Sequence, residues 1–215
     1  MSSSEDWLQD PLMKIGKGFY QYRKLKNLDE KQYELWQIFH YATGLKLNGA
    51  NFFCTKVIDT ARMSEDTKLE WYLDGFFFEL MAAFDIILQE LNTVYAYDLQ
   101  LKLETVRWND NNKNKFMRKL PEEIFNLIEA ERKKDWFCEV QWYRNTTTHH
   151  YRIPKSRSKI WWGHDSLHST YHVRLQYIDR KDKIKIQEIS ICKTYLSNMV
   201  NYISSVWGKM AQEFE

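Results

Sequence analysis

Apolar residues recur at helical spacing along most of the chain. Asp29 reads as a helix N-cap, with Glu30 and Glu34 early in the helix that follows. Leu35, Ile38, Phe39, Ala42 and Leu45, then Phe52, Phe53, Val57 and Ile58, have the spacing of a core-facing helix, which Gly44 and Gly49 would bend or split. A second, long helix is predicted from Ser64 to about Tyr97, with Asp66 near its start and Leu69, Leu73, Phe76, Leu80, Phe84, Ile87 and Leu91 as its buried stripe. Residues 109–112 read as a polar loop, and Pro121 suits the first position of a third helix, Glu122 to Lys133. A fourth helix begins near Asp135, turns Trp136, Phe137, Val140 and Tyr143 inward and ends before Pro154.

The period then changes from helical to alternating. Tyr171, Val173, Leu175 and Tyr177 alternate with polar neighbours, Asp179 to Asp182 is turn-like, and Ile184 and Ile186 alternate again, which predicts a β-hairpin. Leu196, Met199, Val200, Ile203, Trp207 and Met210 close the chain as an amphipathic helix. No internal repeat and no sustained heptad is evident. The expected class is mainly α, a bundle of four to five helices with a small β-hairpin before the C-terminal helix. One domain, 1–215, is expected, with a helical core at 29–154 and an extension at 155–215 made of a basic loop, the hairpin and the last helix.

Composition narrows the choice. With 215 residues, 44% hydrophobic and 28% charged, the chain can bury a core as one domain. Only 7 Gly and 3 Pro are too few for the turns of an all-β sandwich or the glycine loops of a nucleotide-binding sheet. The N-terminus carries acid where a signal peptide needs base, and the most apolar stretch, Phe76 to Phe84, is interrupted by Glu79 and too short for a bilayer. Cys54, Cys138 and Cys192 are odd in number and widely spaced, which suits buried thiols in a reducing cytoplasm. A cytoplasmic protein without membrane insertion is expected, and no cofactor motif stands out: there is no P-loop, Rossmann glycine pattern, nucleophile elbow or Cys-x-x-Cys.

The net charge of +2 conceals an uneven distribution. Nine acids lie between Asp59 and Asp98 against two bases, whereas Gln141 to His164 holds no acid at all. That second window interleaves Arg144, Arg152, Lys155, Arg157 and Lys159 with three histidines and with Trp142, Tyr143, Tyr151, Trp161 and Trp162. Bases neutralise phosphates and rings stack on nucleobases, so Arg152, Lys155, Arg157, Lys159, Trp161 and Trp162 are candidates for holding a single nucleic-acid strand. The alternative is a solvated basic loop whose rings pack in the core.

Within the window, Arg144-Asn145-Thr146-Thr147-Thr148-His149-His150-Tyr151 can supply a phosphate clamp, a general base and a hydroxyl. Arg144 and His149 stand about 140° apart on an ideal helix, so their convergence needs a distorted helix end or a second chain. Three threonines and the approach to Pro154 favour distortion.

These residues resemble the signature of the HEPN superfamily of helical-bundle proteins, Arg-Asn-x3-His, and further the Arg-x4-His-x-Tyr form of toxins paired with minimal nucleotidyltransferase antitoxins. The full Arg-Asn-x3-His-x-Tyr pattern is expected by chance only about 0.001 times in a chain of this composition. The resemblance spans roughly Asp29 to Pro154. It implies metal-independent RNA cleavage, with His149 as general base, Arg144 stabilising the phosphoryl oxygens, Asn145 orienting histidine or substrate, and His150 as a possible general acid. It further implies Tyr151 as a site where a nucleotidyltransferase partner attaches AMP, and a homodimer whose motifs share a cleft. The compact toxins end soon after the motif, whereas more than sixty residues follow here.

Three alternatives stand beside this reading. The same bundle can act as a binding or adaptor module for RNA or a nucleotide without chemistry. His164, His168 and His172, spaced four apart with Asp165 beside the first, offer a metal site. Arg144 can serve as a structural partner of Glu79 or Asp85.

Overall fold

The computed structural model describes residues 28–63, 65–99, 118–149, 153–161, 169–178 and 183–213, together with Gln21, Val106 and Trp108. Among them are five α-helices and one antiparallel sheet: α1 (Glu30–Ala61), α2 (Asp66–Tyr95), a short 3-10 turn (Tyr97–Leu99), α3 (Glu122–Arg132), α4 (Asp135–His149), β1 (Lys155–Trp161), β2 (Ser169–Ile178), β3 (Ile184–Glu188) and α5 (Ile191–Gln212). The fold is mainly α, with the small sheet placed before the last helix, as the periodicity predicts. The 109–112 loop and the 179–182 turn lie outside the described residues.

Asp29 caps α1 as expected: its Oδ1 accepts the Gln32 backbone N–H at 2.7 Å, and Gln32 Oε1 accepts the Asp29 N–H at 3.4 Å, a reciprocal box that closes two orphan donors. The expected break at Gly44 or Gly49 does not occur, and α1 runs unbroken for 32 residues. Glycine at 49 and at 75 instead permits close helix approach. A Cβ at Gly75 would sit 2.7 Å from the Phe53 ring, and one at Gly49 would sit 3.1 Å from the Glu79 carboxylate.

The inward face of α1 also differs from expectation. Trp36, His40, Thr43, Leu47, Ala50, Cys54, Val57 and Ala61 are buried, while Ile38, Leu45 and Phe52 are 60%, 50% and 54% exposed. Of the predicted inward residues Val57 is buried, whereas Ile38, Leu45 and Phe52 face out, because the buried set is rich in small and polar residues. In α2 every residue of the predicted stripe, Leu69 through Leu91, is buried.

Two compact units divide the chain. Residues 1–46, 82–133 and 199–215 make the first, and 47–81 with 134–198 the second. At the centre of the first lies Glu90, fully buried, whose carboxylate takes N–H groups from Trp36 Nε1 at 3.0 Å and Trp207 Nε1 at 3.2 Å and meets His40 Nδ1 at 2.7 Å. A buried carboxylate is tolerable only when saturated in this way. The His40 ring lies 5.0 Å from that of Trp36 and 4.6 Å from that of Trp207.

In the second unit, Phe77 stacks on Tyr143 at 4.7 Å, and Val173, Leu175 and Tyr177 of β2 are buried. Buried Glu139 of α4 accepts from Gln187 Nε2 at 3.0 Å, and the Tyr195 hydroxyl lies 2.8 Å from the same oxygen. Burial first, and the Glu139 charge second, push the Tyr143 and Tyr195 phenols far above the ordinary tyrosine range, so both stay neutral.

The sheet has three strands, in the order β1-β2-β3, rather than the expected two. Residues 155–161, read above as a basic loop, form β1 and pair antiparallel with β2 from Lys155↔Leu175 to Trp161↔Ser169. Lys-Ser-Arg-Ser-Lys lacks the apolar alternation that marks a strand, and its charges suit an edge strand that must resist further pairing.

Candidate functional site

The motif sits at the C-terminal end of α4, and the rotation of that helix is set from the inside. Tyr143 and Thr146, three residues apart, are buried and share the inner face. The intervening positions are thereby turned outward, Arg144 partly exposed and Asn145 exposed, and Thr148 beyond them is exposed as well. Arg144 Nη1 donates to Asn145 Oδ1 at 3.2 Å, so consecutive side chains of the motif are already joined. The Thr147 and Thr148 hydroxyls both donate to the Arg144 carbonyl at 2.9 Å. Threonine hydroxyls that bond back one turn find their partner within the helix, at the cost of a slight tendency to bend it.

The helix runs through the three threonines to His149, and the approach to Pro154, where distortion is expected, lies outside the described residues. On a regular helix, positions 144 and 149 remain about 140° apart. The side chain of His149, together with His150, Tyr151 and Arg152, lies outside the described residues. The backbone is described again at Ile153, which is buried, and at Pro154, whose carbonyl accepts the Gln176 N–H at 2.8 Å.

The basic residues after the motif are ordered by the sheet register. Lys155, Arg157 and Lys159 stand opposite Leu175, Val173 and Tyr171, at alternate positions of β1, with Trp161 opposite Ser169. Trp162 and the side chains of Arg157, Lys159 and Trp161 lie outside the described residues. The Lys155 ammonium is ion-paired with Glu70 of α2, and its side chain is only 13% exposed. The acid-free window thus meets an acid 85 residues away. One turn along α2, burial and then the Glu70 charge hold the Asp74 carboxyl above the ordinary aspartate value, against the opposing pull of Lys155.

Of the three histidines considered for metal, His172 lies on β2 opposite Ser158, and His164 and His168 lie outside the described residues. Among the described residues no group of three or more His, Cys, Asp or Glu is placed to hold a metal ion. No described helix is long and apolar enough to cross a membrane. Sequence reasoning did not single out the His40–Glu90 contact. Its one available signal was an acid, Glu90, set within the apolar run that ends at Leu91.

The family model HEPN_Cthe2314-like HEPN matches residues 20–204, a span that takes in α1 to β3 and most of α5. Neither a curated protein nor a solved structure matches the chain. A match over that much of the sequence places the chain in the HEPN family.

Proposed function

We propose that this HEPN protein is a metal-independent endoribonuclease of the cytoplasm. The observation that carries the reading is Arg144, partly exposed at the end of α4 and joined to Asn145, in a chain that retains the complete Arg-Asn-x3-His-x-Tyr pattern.

The chemistry follows from the residue types. The neutral imidazole of His149 removes the proton of a ribose 2′-hydroxyl, and the resulting oxygen attacks the adjacent phosphorus. Arg144 donates to the phosphoryl oxygens as negative charge builds on them, and Asn145 orients the imidazole or the substrate. The bond from phosphorus to the 5′-oxygen breaks, and that oxygen takes a proton from His150. The products are a 2′,3′-cyclic phosphate and a 5′-hydroxyl. DNA lacks the nucleophile and stays intact.

Arg152, Arg157, Lys159, Trp161 and Trp162 hold the RNA strand, while Lys155 serves the fold through Glu70. Because a regular helix separates positions 144 and 149, two protomers supply the arginine and the histidine across a shared cleft. Tyr151 is the position where a nucleotidyltransferase antitoxin would attach AMP and close that cleft.

The same helical regularity favours one second reading, a non-catalytic RNA- or nucleotide-binding adaptor in which Arg144 grips phosphate and no base reaches the ribose. Incubation with matched RNA and DNA strands in excess EDTA separates the two. The nuclease cuts RNA alone and loses that activity in Arg144→Ala and His149→Ala. DNA cutting, magnesium dependence or full activity in both variants would defeat it.

A further inference from the structure

The outer face of α1 carries a feature that neither the fold nor the proposed chemistry uses. Lys31, Glu34, Ile38, Tyr41, Leu45, Asn48, Phe52, Thr55 and Asp59 are all exposed, and they follow one another at alternating steps of three and four residues. This is the spacing of a helix-pairing seam. Its middle is apolar, with Ile38 60%, Tyr41 68%, Leu45 50% and Phe52 54% exposed. Its ends are charged. Exposed single hydrophobics are ordinary on a protein surface, but four large ones in a continuous line on one helix mark a contact surface.

The seam's symmetry identifies the occupant. Leu45 stands midway between Ile38 and Phe52, midway between Glu34 and Lys56, and midway between Lys31 and Asp59. If a second α1 lies antiparallel with the twofold axis at Leu45, each Ile38 faces the other copy's Phe52. The same arrangement sets Lys31 against Asp59 and Glu34 against Lys56, opposite charges in every case, and an isologous interface makes each pair twice. A parallel mate would set lysine on lysine and glutamate on glutamate. Lys56 belongs to the same stretch of the face, its Nζ 5.6 Å from the centroid of the Phe52 ring.

We propose that this face of α1 is the homodimer interface, an antiparallel α1–α1 pair centred on Leu45. The proposal rests on the two-protomer reading above and not on RNA cleavage. Its polar and charged flanks limit partners to a chain with the same pattern, which explains how so apolar a stripe stays compatible with a specific assembly.

The test uses the full chain and reads mass by light scattering during size-exclusion chromatography. Wild type is expected at twice 26.2 kDa and Leu45→Asp at 26.2 kDa, with the same helical circular dichroism. Lys31→Glu should raise the dimer Kd about tenfold, and Lys31→Glu with Asp59→Lys should recover it, because two exposed pairs are lost and then reinstated. In a Cys138→Ala background, Leu45→Cys should form an intermolecular disulfide under mild oxidation. A wild-type dimer that Leu45→Asp leaves intact and Leu45→Cys does not cross-link overturns the seam while the two-protomer reading stands. A monomeric wild type that still cleaves RNA overturns both. A dimer that Leu45→Asp dissociates with cleavage unchanged supports the seam and overturns only the shared cleft.

Discussion

The hydroxyl of Thr148 donates to the carbonyl oxygen of Arg144 at 2.9 Å, one turn back along α4. Thr147 makes the same bond at the same length. Together they hold the backbone of Arg144 from its C-terminal side, while buried Tyr143 and Thr146 hold it from the core. The guanidinium then projects from a fixed base toward Asn145. A phosphate clamp needs this, because a charged group that must be ordered when substrate arrives contributes less to the transition state than one already in place.

Replacing Arg144 by lysine retains the charge and removes the planar fork. In the proposed enzyme, RNA cleavage should fall by about 10²-fold or more, since one point charge cannot match two phosphoryl oxygens as a guanidinium does. The side chain is partly exposed, so the melting temperature should stay within about 2 °C of wild type. Initial rates and a thermal melt on the same preparation check both.

Glu90 should be the most costly single position in the first unit. Glu90→Ala leaves two indole N–H groups and the His40 ring without their acceptor and opens a cavity, for a loss of about 3–5 kcal/mol. Glu90→Gln keeps the volume and one carbonyl oxygen and should cost about 1–3 kcal/mol. Urea unfolding of the two variants gives the difference.

Three glycines should respond to alanine in different directions. Removing glycine from a helix interior gains up to about 1 kcal/mol. A methyl added at Gly208 would have nothing within 4 Å, so Gly208→Ala should stabilise by roughly that amount. At Gly75 the methyl would meet the Phe53 ring at 2.7 Å, and overpacking of about 1–3 kcal/mol should outweigh the gain. Gly49→Ala should fall between them, because its 3.1 Å neighbour is the carboxylate end of Glu79.

Asp74 sets a pH dependence of unusual sign. Its carboxyl titrates above the ordinary aspartate value of 3.8, because of burial and then Glu70. The folded state therefore binds this proton more tightly than the unfolded state. The group thus weakens the fold at neutral pH, and that penalty is relieved as pH falls through the folded pKa toward 3.8. Asp74→Asn should be more stable than wild type at about pH 7, with the advantage shrinking below that folded pKa and gone near about pH 3. Paired urea titrations at the two pH values check the sign.

Cys54 and Cys192 should resist alkylation. Burial pushes the Cys54 thiol up to about 11, and that of Cys192 well above its ordinary value. At about pH 8 the thiolate fraction at Cys54 is then on the order of 10⁻³. Intact mass after iodoacetamide treatment should show at most the Cys138 adduct in the native protein and three adducts after denaturation.

The sequence made some elements plain and hid others for physical reasons. The α2 stripe was legible because Leu69, Leu73, Phe76, Leu80, Phe84, Ile87 and Leu91 repeat at helical spacing and are all buried, although Trp71 and Phe78 face out. In α1 the contrast is weaker: small and polar residues such as His40, Thr43 and Ala50 line the core beside Val57 while Ile38, Leu45 and Phe52 face out, so hydrophobicity alone placed only part of the inner face. β1 was hidden because Lys-Ser-Arg-Ser-Lys lacks the apolar alternation of a strand, and its pairing with β2 is made by backbone hydrogen bonds. At the site, the residue types and spacing of Arg144 and Asn145 were legible from the motif. The Lys155–Glu70 pair was not, because it is made by tertiary approach across 85 positions.

The most direct measurement of the proposed chemistry uses an RNA strand carrying a single 2′-deoxy sugar at the cleaved position, in excess EDTA, with the ends identified by mass spectrometry. The all-ribose strand should yield a 2′,3′-cyclic phosphate and a 5′-hydroxyl, and the substituted strand should remain whole at that position. Cleavage of the substituted strand at the same rate, or a 5′-phosphate product, would contradict attack by the 2′-hydroxyl and with it the role given to Arg144 and His149.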